Sequence, residues 1–366
     1  MRPTVAVIDL GAIARNYRRL EGRLAGQAII AVVKADAYGH GALPVAHRLA
    51  DEGAASFAVA LVEEGIALRR GGVAGGILLL GHADPSDIPM LRAYGLTPTL
   101  HALEQARGFA RAARGLSGPL DVHVKLETGM GRLGFREEEV AGLIEILRDA
   151  PGLRLAGALT NFSQADEPSS PATARQIARM RSEVEALRAA GFFPGAVHAA
   201  NSAAVLAHSD SFFDAVRPGL ALYGVSPFPE SDDGLEPALT LETRVIAVHE
   251  VPAGAALGYG GRFVTRRPSR IATIPIGYHD GLRRVISGRG SVLLRGRRAP
   301  LAGAVSMDLT LLDATDTGAE AGDRVVCLGA EGSERVTAWD LARAADTIPY
   351  EILCGIGPRV PRHYVG

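Results

Sequence analysis

The chain has 366 residues, 47% of them hydrophobic, enough to bury a large core and to suggest two or three domains. Its 39 Lys+Arg and 40 Asp+Glu nearly cancel, so no overall field draws it to nucleic acid or an acidic membrane surface, and a small molecule is the expected partner. The two cysteines, Cys327 and Cys354, lie in apolar surroundings, which argues against a disulfide framework and against a cysteine-built metal site. With no basic and apolar leader after Met1 and no run as long as a membrane span, the expected location is the cytoplasm.

The first element, TVAVIDLGAIARNYRRL (4–20), reads as a strand followed by an amphipathic helix. It stands outside the series that follows, and pairing of this strand with a second domain is left open. From about residue 28 to about 220, eight short apolar runs alternate with polar-faced helical stretches: AIIAVVK (28–34), FAVAL (57–61), ILLLG (77–81), LTPTL (96–100), LDVHVKL (120–126), LRLAGAL (153–159), GAVHAA (195–200) and DAVRPG (214–219). EEEVAGLIEILRDA (137–150) and ARQIARMRSEVEALRAAG (174–191) are such helical stretches. Strand-helix units repeated eight times favour a closed (β/α)8 TIM-type barrel over an open sheet.

Beyond PFPE (227–230) the pattern changes to period-2 segments, among them TRVIAVHEV, RIATIPI, SVLLR and DRVVCLG, separated by Gly- and Pro-containing turns. The fold class is therefore α/β, with a barrel over 1–232 and a mostly β C-terminal domain over 233–366. There only TAWDLARAAD (337–346) reads as a helix, with Thr337 as N-cap and Asp340 three residues on in a weak capping box.

Lys34 ends the first run and is followed by ADAYGHG, so the barrel delivers an amine to the C-terminal mouth, where barrel active sites sit. An amine with a lowered pKa there meets the first requirement of Schiff-base chemistry. Asn201-Ser202 and Gly219-Leu220 follow the seventh and eighth runs, where barrels commonly gather amides for a phosphate.

VVKADAYGHG resembles the lysine motif of alanine racemases, and the likeness continues through VHVKLETGMGRLGF (122–135), HAANSAA (198–204), VRPGLALYG (216–224), GYGGRF (258–263), IPIGYHDG (274–281), AVSMD (304–308) and IPYEILCGIGPRVPRHY (348–364). The resemblance implies a pyridoxal 5'-phosphate (PLP) enzyme, a homodimer with shared active sites, that interconverts L- and D-alanine for cell-wall peptidoglycan. It implies Lys34 as cofactor anchor and one base, and Tyr259 of the other subunit as the second base, with His198 as a relay to Tyr259. Two bases are needed because racemisation removes a proton from one face of Cα and returns one to the other.

By the same resemblance Ser202, the amides of Gly219 and Leu220, Tyr38 and Tyr350 hold the phosphate, with Asn201 beside them, and Arg217 faces the pyridine nitrogen. A guanidinium does not hand over its proton, which leaves the ring a weaker electron sink and limits side reactions. Arg132 is implied for the cofactor phenolic oxygen and the substrate carboxylate, with Met307, Asp308 and Tyr278 as further substrate contacts. Lys125, on the same segment as Arg132, is expected to be carbamylated, an anion between cations.

The chain departs from the family pattern at Asn161 for histidine, Glu127 for aspartate, Ser306 for cysteine and Ala304 for arginine. A decarboxylase of related fold would face the pyridine nitrogen with a carboxylate, and a PLP carrier would not need Tyr259 and its domain. A serine or broad-specificity racemase is the alternative within the family.

Overall fold

A computed structural model describes residues 2–229, 231 and 233–366. The boundary expected at 232/233 and the end of PFPE fall on Asp232 and Glu230, which with Met1 lie outside the described residues. Contacts divide the chain into two compact units, one of Ile13–Ala37 with Ala42–Leu235, the other of the N-terminal residues through Ala12 with Tyr38–Gly41 and Glu236–Gly366.

In the first unit all eight apolar runs carry parallel strands: Ala28–Val32, Ser56–Val59, Gly76–Leu79, Leu96–Thr97 with Thr99–Leu100, Leu120–Lys125, Leu153–Leu159, Ala196–His198 and Ala215–Val216. The eighth returns to the first through Ala215 opposite Ala28 and Val216 opposite Ile29, as the barrel reading requires. The fourth strand is broken at Pro98, which has no N–H to give to a ladder. Its first half pairs with the third strand and its second half with the fifth, so the ring is nearly rather than fully closed. Val122 and Val124 on the fifth strand are fully buried, and the alternate residues His123 and Lys125 share the opposite face.

In the second unit, strand Val5–Asp9 runs antiparallel to Leu239–Arg244 and parallel to Arg362–Val365, inside a sheet that continues through Arg324–Glu331, Ser291–Leu294 and Arg297–Pro300. Glu334–Val336 pairs antiparallel with Arg324–Glu331 at the side of that sheet, and a three-stranded sheet of Ala247–Val251, Ser269–Ile274 and Thr310–Asp313 and the small hairpin Ala256–Leu257 with Phe263–Val264 complete the β structure among the described residues. Helix Ala338–Ala345 begins as expected, with Thr337 Oγ1 accepting the Asp340 N–H at 3.0 Å and Asp340 Oδ2 accepting the Thr337 N–H at 2.9 Å. A second helix, Pro349–Cys354, was not expected and places Pro at its first turn, where a missing N–H costs nothing.

Candidate active site

Lys34 follows the first barrel strand and opens a turn of unusual hand. Ala35, Asp36, Ala37 and Tyr38 all have φ between 51° and 54°, a left-handed helical turn made without glycine. Each such residue costs about 1–2 kcal/mol, so neighbours must hold the turn. Glu64 Oε1 accepts the Ala35 N–H at 2.7 Å, Asp36 Oδ1 accepts the Ala42 N–H at 2.7 Å, and Val33 O accepts the Ala37 N–H at 2.9 Å. The other oxygen of Glu64 accepts the N–H groups of Ala60 (2.7 Å) and Leu61 (3.1 Å) at the start of helix Val62–Arg70. One carboxylate thus ties the ends of the first and second strands together beside Lys34.

At Tyr38 the chain passes into the other unit. A Cβ on Gly39 would lie 2.5 Å from Leu353 O, and Gly41 backs onto the Tyr364 hydroxyl. The rings of Tyr38 and Tyr350 lie 5.6 Å apart in that unit. Burial, then Tyr350, pushes the Tyr38 phenol above its ordinary value, so it stays a hydrogen-bond donor at neutral pH.

At the ends of the seventh and eighth strands, Asn201 caps the short helix Ser202–Ala207 by accepting the Ala204 N–H at 3.0 Å. Ser202 Oγ accepts the N–H groups of Gly219 (2.9 Å) and Ala221 (3.1 Å), which leaves its own proton to donate outward. The Leu220 N–H, on a residue 1% exposed, has no acceptor among the described residues. A hydroxyl proton and an orphaned amide on adjacent strand ends fit a phosphate oxygen.

Arg217 is buried and gripped by carbonyls: Nη2 donates to Thr160 O (2.6 Å) and Ala199 O (3.2 Å), Nη1 to His198 O (2.8 Å). Nη1 also meets His198 Nδ1 at 2.7 Å, and His198 Nε2 meets His123 Nδ1 at 2.9 Å. Arginine has only donors, so His198 Nδ1 accepts and its Nε2–H donates to His123. Burial and then the Arg217 charge lower both rings, His123 to about 4 and His198 well below the ordinary imidazole value. Burial brings Arg217 itself down to about 10, still cationic at neutral pH. The relay from His198 to Tyr259 implied by the family resemblance therefore finds no ring nitrogen, because both are engaged within this unit.

Reading the sequence missed His123. It lies two residues before Lys125 on one strand, and the period-2 rule would have put both on one face. Gly157, paired with His123 on the sixth strand, makes room for the ring, since a Cβ there would lie 2.4 Å from it.

Lys125 ends the fifth strand and is buried. Burial, then Arg132 and Arg217, lower its amine to about 8, against a smaller opposing pull from Glu127. Glu127 shapes the following loop, accepting the N–H groups of Gly129 and Met130 at 2.6 Å and Arg132 at 3.3 Å. Those backbone bonds outweigh its burial and hold its carboxyl below the ordinary value. The Arg132 side chain is exposed. Asn161 Nδ2 donates to Phe162 O at 3.1 Å, and Arg217 is held instead by the carbonyl of the preceding Thr160.

The second unit gathers the remaining predicted residues on its surface. Tyr259 is 68% exposed on a turn between the strands of the small hairpin, and Gly258 (φ 68°) lies against the backbone of Gly303 and Ala304. The Tyr278 N–H donates to Ser306 O and the His279 N–H to Met307 O, which sets Tyr278 beside Met307. Arg359 joins Asp308 (2.8 Å) to the fully buried Asp280, which Arg2 also grips. Thus Lys34, Lys125, Arg132, His198, Asn201, Ser202, Arg217, Gly219 and Leu220 belong to the barrel unit, and Tyr38, Tyr259, Tyr278, Met307, Asp308 and Tyr350 to the other. Among the described residues no helix is long and apolar enough to cross a membrane, and no group of three or more His, Cys, Asp or Glu is placed to hold a metal.

Residues 8–227 match the family model described as "Alanine racemase, N-terminal domain" and residues 238–364 that described as "Alanine racemase, C-terminal domain". Among curated relatives, an alanine racemase of Halothermothrix orenii is 40% identical over 99% of this chain and 97% of its own, and one of Symbiobacterium thermophilum is 42% identical over 100% and 98%. Among solved structures, an alanine racemase from D-cycloserine producing Streptomyces lavendulae superposes with a TM-score of 0.96 at 36% identity, covering 100% of this chain and 98% of that one. One from Bacillus anthracis with bound L-Ala-P gives 0.94 at 35%, covering 100% and 96%.

Proposed function

Because the chain belongs to the alanine racemase family of isomerases, we propose that it interconverts L- and D-alanine with PLP as cofactor, as a homodimer, and so supplies D-alanine for peptidoglycan. The observation that carries this reading is the pairing of the first and eighth strands, which sets Lys34 and the buried Arg217 at neighbouring strand ends. Lys34 anchors the cofactor, Arg217 faces its ring nitrogen, and Ser202, Gly219 and Leu220, with Asn201 capping beside them and Tyr38 and Tyr350, hold the phosphate. The outward hydroxyl of Ser202 and the orphaned Leu220 amide support that assignment. His198 belongs to the cofactor cradle through its hold on Arg217.

When bound, PLP withdraws electrons from Cα of the substrate and acidifies its proton. Lys34 moves that proton on one face and Tyr259 of a second copy on the other. Arg132 orients the substrate carboxylate, with Met307, Asp308 and Tyr278 lining the approach. Arg217 keeps its proton, since its pKa of about 10 leaves the guanidinium charged at neutral pH.

The test is D-isomer formation from a panel of L-amino acids, serine included, by the PLP-loaded protein. Alanine is expected to turn over fastest, Lys34→Ala to abolish racemisation, and Tyr259→Phe to slow it by about 10²–10⁴-fold. Undiminished racemisation in Lys34→Ala, or none of any amino acid in the unaltered chain, sinks the reading.

We also propose that Lys125 is carbamylated. With its amine at about 8, roughly a quarter is neutral at pH 7.5 and ready to attack CO2. Native mass spectrometry in bicarbonate is expected to show one added CO2 that Lys125→Ala abolishes; a plain lysine with no other anion beside Arg132 defeats it.

A further inference from the structure

Helix Ala172–Ala189 brings one side chain, Gln176, 2% exposed, beneath the loops that follow the fifth and sixth barrel strands. Its amide is saturated. Nε2 donates to Thr128 Oγ1 (3.2 Å) and to Asn161 O (3.1 Å), and Oε1 accepts from Ser163 N (3.0 Å) and Ser163 Oγ (3.1 Å). The reverse orientation would set its NH2 against the Ser163 N–H, so the network fixes which way the amide points. Thr128 in turn meets Thr160 at 2.7 Å between hydroxyls, and Thr160 O receives Arg217 Nη2. Gly129 follows with φ 138°, where a Cβ would come 3.3 Å from Gln176 Cγ. A buried amide with all of its capacity used ties the loop that carries Arg132 to the segment 160–163, whose Thr160 carbonyl receives Arg217.

We propose that Gln176 is a positioning residue: acting through Thr128, it braces the Arg132 loop against the Thr160 hydroxyl and the Asn161 carbonyl and so positions the guanidinium that receives the substrate carboxylate. This rests on the roles given above to Arg132 and Arg217. A loosened loop loses a contact made alike in ground and transition states, so KM moves and kcat does not.

The experiment compares Thr128→Val, Thr128→Ser and Gln176→Met in the PLP-loaded full chain, reading KM and kcat for L-alanine and amide hydrogen exchange of residues 127–136. Thr128→Val and Gln176→Met are expected to raise KM about tenfold with kcat within about threefold. Exchange in 127–136 quickens about tenfold while the barrel strands keep their protection, and Thr128→Ser restores both readouts. Unchanged KM with unchanged loop exchange overturns the proposal, as does faster exchange throughout the barrel with kcat and KM changing together. If the unaltered chain racemises nothing, the reading of function fails by itself, and loop exchange still decides whether Gln176 braces the loop.

Discussion

Arg217 shows how one side chain dictates the state of its neighbours. A donor-only guanidinium at His198 Nδ1 forces that nitrogen to accept, which makes His198 a donor to His123, and burial, with the Arg217 charge added to it, keeps both rings neutral. The folded chain leaves His123 unprotonated down to about pH 4, whereas an unfolded chain binds that proton near 6.5. The unfolded state therefore holds more protons between those values, and stability falls as pH drops from 6.5 to 4. The ceiling on this contribution is on the order of 3 kcal/mol. Thermal unfolding followed from pH 7 to 4 is expected to show a shallower acid loss in His123→Gln than in the unaltered chain; parallel curves would remove His123 from the account.

The turn after Lys34 depends on an element far away in sequence. Glu64 closes its own helix and also holds the Ala35 N–H, so Glu64→Ala strips a cap and a turn anchor together. A loss of about 1–3 kcal/mol is expected in denaturant unfolding, together with weaker PLP retention on gel filtration. Stability and retention both equal to the unaltered chain would show the turn standing without it. The eight barrel strands were legible because parallel strands covered on both faces read as continuous apolar runs. The break at Pro98 stood in LTPTL, yet five residues of strand pattern hid it. Lys34, Ser202 and Arg217 were legible at strand ends because motifs mark them. The left-handed turn was not, since of Ala, Asp, Ala and Tyr only Asp tolerates positive φ, and then as a single residue; partners at Glu64 and Ala42 hold the run of four. Gln176 escaped for the same reason, its role being set by hydrogen bonds across loops; the strand period marked the face of His123, but its bond to His198 across the strands left no mark in the sequence.

At the scale of the molecule, one unit exposes Tyr259, Tyr278, Met307, Leu309 and Ile348, large apolar side chains of the kind a second chain covers. If each site takes its lysine from one copy and its tyrosine from the other, two dead variants must revive each other. Lys34→Ala mixed with Tyr259→Phe, unfolded and refolded together, is expected to recover about a quarter of full activity, because half of random pairs are mixed and each mixed pair holds one intact site. No recovery, with mixed dimers demonstrated by mass, would place both bases in a single copy. The four residues of the left-handed turn, at about 1–2 kcal/mol each, make a debt comparable with the net stability of a whole domain. Glycine would relieve it and would also let the segment wander, whereas alanine and tyrosine have only a narrow basin on that side of the map. The chain crosses from one unit to the other within that turn, between Ala37 and Tyr38. Lys34 therefore hangs from a stiff mount, and sequence drift toward a more stable protein at these four positions would work against the aim of its amine.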